Sequence, residues 1–427
     1  MKTLLLGSGG RESALAWGLS RSTVVTQLYA LPGNPGMADF CELFAGDPAD
    51  SEAVLDVCRR TGSSLVVIGP EAPLVAGIGN ALRTEGIAVF GPDADAARLE
   101  GSKSFSKQLM DEAAVPTAAW RRCQSTDEAI DALEAFGPPY VVKADGLAAG
   151  KGVTVTENHA DAVEAVRDRL ERGAFGEAGS TVVIEEHLEG PELSLICFTD
   201  GRHFVACEPA QDFKRALNGD AGPNTGGMGA YSPVPECPPG AADSIAAEIL
   251  EPMIRALATR GTPFVGALYA GLALTSKGPK VVEFNARFGD PETQALIPRM
   301  TSDLGELCWA TATGQLEGAK LDWTPKACVT VVLASGGYPG AYRTGVPITG
   351  LDAASAQEVL VFHAGTALEE GRLVTAGGRV LSISGLDSTI AGARSRAYEA
   401  ISAIRFEGQH FRIDIAAHAA QVEESSL

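Results

Sequence analysis

The 427-residue chain lacks any apolar run near the roughly 18 residues that cross a bilayer. No membrane helix is expected. The opening Met1-Lys2-Thr3-Leu4-Leu5-Leu6-Gly7 is too short an apolar stretch for a secretory signal. Cysteine is sparse, at 8, with no Cys-x-x-Cys pair and none near a His in zinc-finger spacing. Free, mostly buried thiols in a reducing cytoplasm are expected. The 6 His show no catalytic or metal spacing, and His187 and His363 read as structural. No nucleophile-elbow Ser and no convincing Cys–His pair is present. Positive charge is also short: 34 Lys+Arg against 54 Asp+Glu leave a net charge of −20. That excludes the basic surface of a nucleic-acid binder. It leaves room for a phosphate substrate, because local cations dominate a site. Repeats and low-complexity tracts are absent as well, and 45% apolar with 21% charged residues is a globular composition.

Glycine is abundant, at 49, which suits loops that bring backbone close to ligands. At roughly 150 residues per domain the length suggests about three domains. The first hundred residues read as strand, loop, helix, repeated: Leu4–Leu6, Gln27–Leu31, Leu65–Ile68 and Ala88–Phe90 each run into a Gly/Pro loop. In a parallel sheet such loops gather at the carboxyl edge, where ligands bind. An αβ piece at about 117–190 follows, with a hairpin of Tyr140–Lys143 and Val153–Thr156. The strands Leu193–Thr199, His203–Cys207, Ala267–Leu274 and Lys280–Asn285 come next. A third α/β unit begins near Lys326, and Gln421–Leu427 reads as frayed.

Gly7-Ser8-Gly9-Gly10-Arg11-Glu12 sits between a strand and a helix, the place where free N–H groups and the helix dipole meet a phosphate. Glu12 stands where a dinucleotide site wants a third Gly, and no acid ends the second strand. A mononucleotide-like phosphate fits better than NAD; a mere tight turn is the bland alternative. Gly146-Leu147-Ala148-Ala149-Gly150-Lys151-Gly152 almost imitates a Walker loop, but lies in a hairpin and has Gly152 where Ser or Thr belongs. It can still lay N–H groups over ATP phosphates as a flap, with Lys143 adding a charge; a plain glycine turn is the alternative. In Glu283-Phe284-Asn285-Ala286-Arg287, strand alternation points Glu283, Asn285 and Arg287 one way and Val282, Phe284 and Ala286 the other. Carboxylate plus amide oxygen suits magnesium, and Arg287 can hold a carboxylate or phosphoryl group. The Gly222–Gly229 loop is too rich in Gly, Asn and Pro for a simple linker.

Taken together, these segments resemble the glycinamide ribonucleotide synthetases, ATP-grasp enzymes of purine biosynthesis. The likeness adds Pro32-Gly33-Asn34, Gly69–Leu74, Leu99–Lys103, Gln211–Arg215, Gly336–Gly340, Phe362–Thr366 and Gly377–Val380, and runs from the first strand to about Ile415. It implies an ATP-grasp fold with an N-terminal parallel α/β domain at 1–101. The ATP-grasp domain is then 102–325, with the 117–190 piece as a mobile lid, and the C-terminal domain is 326–427. The implied activity joins glycine to phosphoribosylamine with ATP and magnesium or manganese, in the cytoplasm and in a monomer, with no nucleic-acid or membrane partner. By the same resemblance Lys103, Lys143, Gly146, Gly150, Lys151 and Gly152 meet the ATP phosphates. Glu185, Glu186 and Leu188 form the adenine hinge through backbone groups, and Glu192 takes the ribose. Glu283 and Asn285 hold the metal. Arg287 orients the glycine carboxylate, with Lys143, Asp212 and Asp290 completing the catalytic set. The phosphoribosyl amine falls to Gly9, Gly10, Arg11, Glu12, Asn34, Glu71, Asp212, Lys214, Asn224, Thr225, Gly226 and Asp290. Three positions depart from the family: Ser13 and Phe213, where His is expected, and Ala416, where Gly is usual. Ser13 and Phe213 bear on which amine is taken. A paralogous ligase with another amine or acid, or a non-catalytic nucleotide-binding regulator, are the rival readings.

Overall fold

The computed structural model describes residues 1–148, 152–238, 240–355 and 357–426. Leu4-Leu5-Leu6 sits at the centre of a parallel five-stranded sheet, ordered Glu42–Leu43, Gln27–Pro32, Lys2–Gly7, Leu65–Ile68, Ala88–Phe90. All three leucines are fully buried, as strands covered on both faces by helices must be. The chain order turns back on either side of Lys2–Gly7. The loops after Gly7, Pro32 and Ile68 therefore open onto one crevice, the usual ligand edge of such a sheet.

The αβ piece forms its own antiparallel sheet, ordered Trp120–Cys123, Val182–Glu185, Tyr140–Ala144, Val153–Thr156. Helices Thr126–Phe136 and His159–Leu170 cover it, and Leu133, Val142, Val166 and Ile184 make a small core separate from the main ones. Another antiparallel sheet, Phe204–Ala206, Glu192–Asp200, Val265–Thr275, Gly278–Asn285, lies beyond it. Its last pair contains a bulge: Gly271 faces Glu283 and Leu272 faces Val281, so Val282 is the extra residue. The bulge breaks the expected alternation. Val282 is half-buried and shares the open side with Glu283, instead of packing away from it.

The last sheet runs Gln211–Asp212, Gly229–Ser232, Ala327–Ala334, Arg379–Asp387, Leu360–His363. Two of its strands thus come from well before Lys326, and they carry Asp212 and the glycine-rich loop to the edge of the C-terminal unit. The C-terminal end also differs from expectation. Residues 417–426 form a helix, with Ala419 and Ala420 buried and Glu423 accepting the Ile390 N–H at 2.7 Å. Ala416, at the turn before it, has φ +56. That left-handed backbone is the physical reason a Gly is usual there.

Gly229 pairs with Val331 where the strand Gly229–Ser232 meets the C-terminal unit. A Cβ there would lie 2.7 Å from the Thr330 carbonyl oxygen and 2.8 Å from Ile415. Gly229→Ala is expected to destabilise the fold by about 1–3 kcal/mol, the range of an overpacked core. Urea unfolding of both forms checks this, and an unchanged midpoint counts against the close packing.

Candidate active site

These elements enclose a deep cleft of about 920 Å³. At one end Lys107, on the helix Lys103–Glu112, and Lys143 converge on the buried Glu185 carboxylate, at 2.8 and 3.0 Å. Lys107 also donates to Thr117 Oγ1 (2.8 Å) and Lys143 to the Val282 carbonyl (3.1 Å). Burial drives the Lys107 ammonium down to about 8, against the pull of Glu185. Nothing in the sequence marked Lys107, because a lysine inside an amphipathic helix usually reads as its solvated face. The Glu186 N–H, expected to be open for adenine, already bonds the Ala119 carbonyl at 2.9 Å. Its carboxylate meets Lys280 at 3.1 Å.

Lys103 lines the cleft at the helix start. The helix N–H groups are not spare: Asp145 accepts from Ser104 N–H at 2.6 Å. A phosphate here meets the lysine side chain more than the helix end. Gly152 and Leu188 also line the cleft. Gly146 does not; its N–H bonds the Ala178 carbonyl at 3.2 Å, turned toward the αβ piece. Gly150 and Lys151 lie outside the described residues.

Glu283 and Asn285 stand together on the cleft wall. Burial pushes the Glu283 carboxyl up, but Lys214, Lys103, Lys143 and Arg287 outweigh it and hold the group ionised below its usual range. One carboxylate and one amide oxygen are hard donors, suited to a cation that keeps substrate phosphates and water as its other ligands. Among the described residues no three or more His, Cys, Asp or Glu gather as a metal cage. The pair fits a cation that arrives with a nucleotide.

Arg287 sits just past the strand, between two carboxylates. Its Nη2 meets Glu100 Oε1 at 2.8 Å and its Nε meets Glu71 Oε2 at 3.4 Å. The other Glu100 oxygen accepts the Ala286 N–H at 2.8 Å. Glu71 also faces Arg11, at 4.0 Å. Glu100 was not singled out as a site residue, since on the sequence it is one more acid at a helix end.

Asp212 and Lys214 lie across the cleft. Lys214 pairs with Glu192 and stands 3.8 Å from Asp212. The ribose acceptor expected in Glu192 is therefore already held by a lysine. Burial raises the Asp212 carboxyl, and nearby Glu292, Glu192 and Glu283 add to the rise against Lys214. Asp290 is the opposite case: burial is outweighed by Arg379, Arg11, a Gln294 hydrogen bond and Arg287, which hold it low. Asn224, Thr225 and Gly226 line the same end. Phe213 does too, with its ring 4.9 Å from the Arg412 guanidinium.

Four expected substrate residues do not line the cleft. Glu12 turns back to accept the Gly9 N–H at 2.7 Å and pairs with Arg11 at 2.5 Å, so the helix end is filled by its own acid. Gly10 packs on Gln294, 2.6 Å from where a Cβ would be. The Asn34 amide donates to Ser8 O, Ser13 Oγ and His363 O, at 2.8, 2.9 and 2.9 Å. Ser13 itself donates to the His363 carbonyl at 2.6 Å. It joins two parts of the fold and does not face the cleft. His363 is structural, its ring driven down to about 4 by burial, whereas His187 is exposed on the cleft wall. The cysteines are free thiols, buried except for the half-exposed Cys237.

The chain matches the phosphoribosylglycinamide synthetase N domain over residues 1–100, the ATP-grasp (A) domain over 101–293 and the C domain over 328–418. The chain belongs to the phosphoribosylglycinamide synthetase family. It is 52% identical to the phosphoribosylamine–glycine ligase of Streptomyces coelicolor, over 98% of this chain and 100% of that protein. It is 49% identical to the Agrobacterium fabrum protein of the same name, over 97% and 98%. The crystal structure of the Thermotoga maritima phosphoribosylamine–glycine ligase superposes with a TM-score of 0.84 at 34% identity, covering 97% of this chain and all of that one. The fold is that of the ATP-grasp enzymes, which use ATP with a divalent cation. None of its helices is long and apolar enough to cross a membrane among the described residues.

Glu100 is expected to fix Arg287 for the family's chemistry. Glu100→Gln keeps an acceptor for the Ala286 N–H but removes the ion pair. A buried charge left short of a partner typically costs about 3–5 kcal/mol when the break is complete; here Glu71 remains, so folding should survive. ADP release should fall on the order of tenfold or more, since about 1.4 kcal/mol is one decade. Wild-type turnover in this variant would remove Glu100 from the site.

Proposed function

We propose that the chain joins glycine to 5-phosphoribosylamine at the cost of ATP, yielding glycinamide ribonucleotide, ADP and phosphate in purine biosynthesis. The observation that carries this reading is the cleft itself. Lys103 and Lys143, the hard oxygens of Glu283 and Asn285, and the carboxylate-seeking Arg287 converge there in one family member. Residues 1–101 serve the amine, 102–325 serve ATP and glycine with 117–190 as lid, and 326–427 close the acceptor side. Leu147, Ala148 and Gly152 line the side of the cleft where the phosphates lie, and Glu192 exchanges Lys214 for the ribose hydroxyls. We assign the enzyme to the cytoplasm, as a monomer, with magnesium or manganese.

The glycine carboxylate oxygen attacks the γ-phosphorus and ADP leaves, giving glycyl phosphate. The amine nitrogen then attacks the acyl carbon, phosphate leaves, and the nitrogen loses a proton. Glu283 and Asn285 would hold the divalent cation that comes with ATP, which would neutralise charge on the transferring phosphoryl group. Arg287 orients the carboxylate, and the lysines draw the phosphate oxygens into line; positioning and charge account for most of the acceleration. Asp212 and Asp290 divide the remaining work by their environments. Asp212, raised by burial, is the group to accept the amine proton, and Asp290, held low by arginines, stays anionic and orients the amine.

One coupled assay tests the reading: ADP release that requires both glycine and phosphoribosylamine. Release with a different amine and not with this one favours a paralogous ligase, for which Phe213 on the cleft wall is the residue to suspect. Glu283→Ala should lose two to three orders of magnitude in turnover, roughly the effect of removing one electrostatic stabiliser, while circular dichroism stays native. Near-normal turnover in it would sink the metal assignment.

The Asp212 assignment has a pH signature. A base with a raised pKa is mostly protonated, and idle, below that pKa and becomes active as the pH rises through it. The kcat/KM for the amine should therefore rise with pH well above the ordinary carboxylate range. Asp212→Asn should lose about 10²–10⁴-fold in rate and lose that acid limb. An acid limb common to both enzymes belongs to another group.

A further inference from the structure

Arg379 opens the strand Arg379–Asp387 of the C-terminal unit, yet it reaches the cleft. Its Nη1 donates to the Gly226 carbonyl at 2.7 Å and to the Asp290 carbonyl at 2.9 Å. The Asp290 carboxylate receives both guanidinium nitrogens, at 3.1 Å each. A second residue of the C-terminal unit, Tyr338, accepts the Gly226 N–H at 3.0 Å through its hydroxyl. Gly226 is thus gripped at its N–H and at its C=O from the same unit. The space is tight enough to require glycine: a Cβ on Gly226 would lie 2.9 Å from Arg379 Cζ, and one on Gly227 would lie 2.3 Å from Pro291 Cδ. The Thr225–Gly227 turn is clamped between Asp290-Pro291 and Arg379.

Two features separate this from a plain surface staple. The groups that Arg379 holds, Gly226 and Asp290, both line the cleft. And both terminal nitrogens are committed to protein oxygens, so the guanidinium is tied first to Asp290 and Gly226. Asp290 keeps a second holder, the Gln294 amide at 2.8 Å. Removing Arg379 therefore loosens the acceptor wall without leaving the turn wholly unheld.

We propose that Arg379 is a positioning residue through which the C-terminal unit sets the acceptor end of the cleft, fixing Asp290 and the Gly226 turn where the phosphoribosyl amine docks. The proposal rests on the ligase reading above. Its mark is selectivity among substrates. A bidentate guanidinium cannot be replaced by a point charge without loss; the lysines for ATP lie on other elements, and Arg287 keeps its own carboxylates, Glu71 and Glu100.

The test is steady-state kinetics of wild type, Arg379→Gln, Arg379→Lys and Tyr338→Phe, with thermal midpoints and calorimetric ADP affinity. Arg379→Gln should raise the KM for phosphoribosylamine on the order of tenfold or more. The KM values for ATP and glycine, and the ADP affinity, should stay within about twofold. Arg379→Lys should recover part of the loss, and Tyr338→Phe should move the same KM by a smaller factor. If Arg379→Gln does not fold, the Lys and Phe variants carry the same comparison. Equal rises in all three KM values, or an amine KM unmoved in every folded variant, overturn the positioning role. A wild-type enzyme with no phosphoribosylamine-dependent ADP release instead overturns the ligase reading, and the proposal falls with it.

Discussion

A buried guanidinium cannot shed its charge, so it goes where carboxylates wait for it. Arg287 is that constraint here. Glu71 opens the helix Glu71–Val75 that follows the strand Leu65–Ile68, Glu100 comes from the end of the helix Ala94–Gly101, and both close on Arg287. The Phe288 carbonyl accepts from Arg287 and from Arg11, at 3.1 and 3.2 Å. The parallel sheet of the first hundred residues is thereby locked, by charge, to the sheet that carries Glu283 and Asn285. Two half-sites on separate sheets are joined into one cleft by this arginine and by the packing of Phe90 on Phe198 and Phe288.

Much of that cleft was legible because its chemistry is carried by residue types that are hard to use elsewhere. Lys143 ends an apolar strand, and a cation there needs a reason. Glu283, Asn285 and Arg287 alternate with the apolar Val282, Phe284 and Ala286 at and just past a strand end, and all three line the cleft. The parallel sheet was legible from apolar triplets stopped by Gly/Pro loops, since only a strand covered on both faces is apolar throughout.

What stayed hidden is what depends on side-chain direction or on partners distant in sequence. A glycine-rich strand-to-helix turn announces an anion site, but nothing local shows that Glu12 folds back to fill it. Asn34 looks like a ligand until its amide is found spent on Ser8, Ser13 and His363. The Val282 bulge is invisible because alternation assumes an unbroken ladder. Lys107, Glu100 and Arg379 were passed over for one reason: each earns its place through an ion pair to a residue at least 78 positions away, except that Glu100 also holds the next-door strand end through Ala286.

The charge balance then resolves into a local argument. A protein with net charge −20 still gathers Lys103, Lys107, Lys143, Lys214, Arg287 and Arg379 around one cleft. At physiological salt the screening length is about 8 Å, so the acidic outer surface does little to a phosphate already inside. What the phosphate meets are cations that mostly have carboxylate partners, Glu185, Glu192, Glu100 and Asp290. Those partners keep the cations in place before substrate arrives, which is the preorganisation that electrostatic catalysis needs. They also keep the empty cleft from carrying a naked positive field that any anion could satisfy. Selectivity then follows from exchange: a substrate must offer each cation at least as good an oxygen, in the same place, as the carboxylate it displaces or joins.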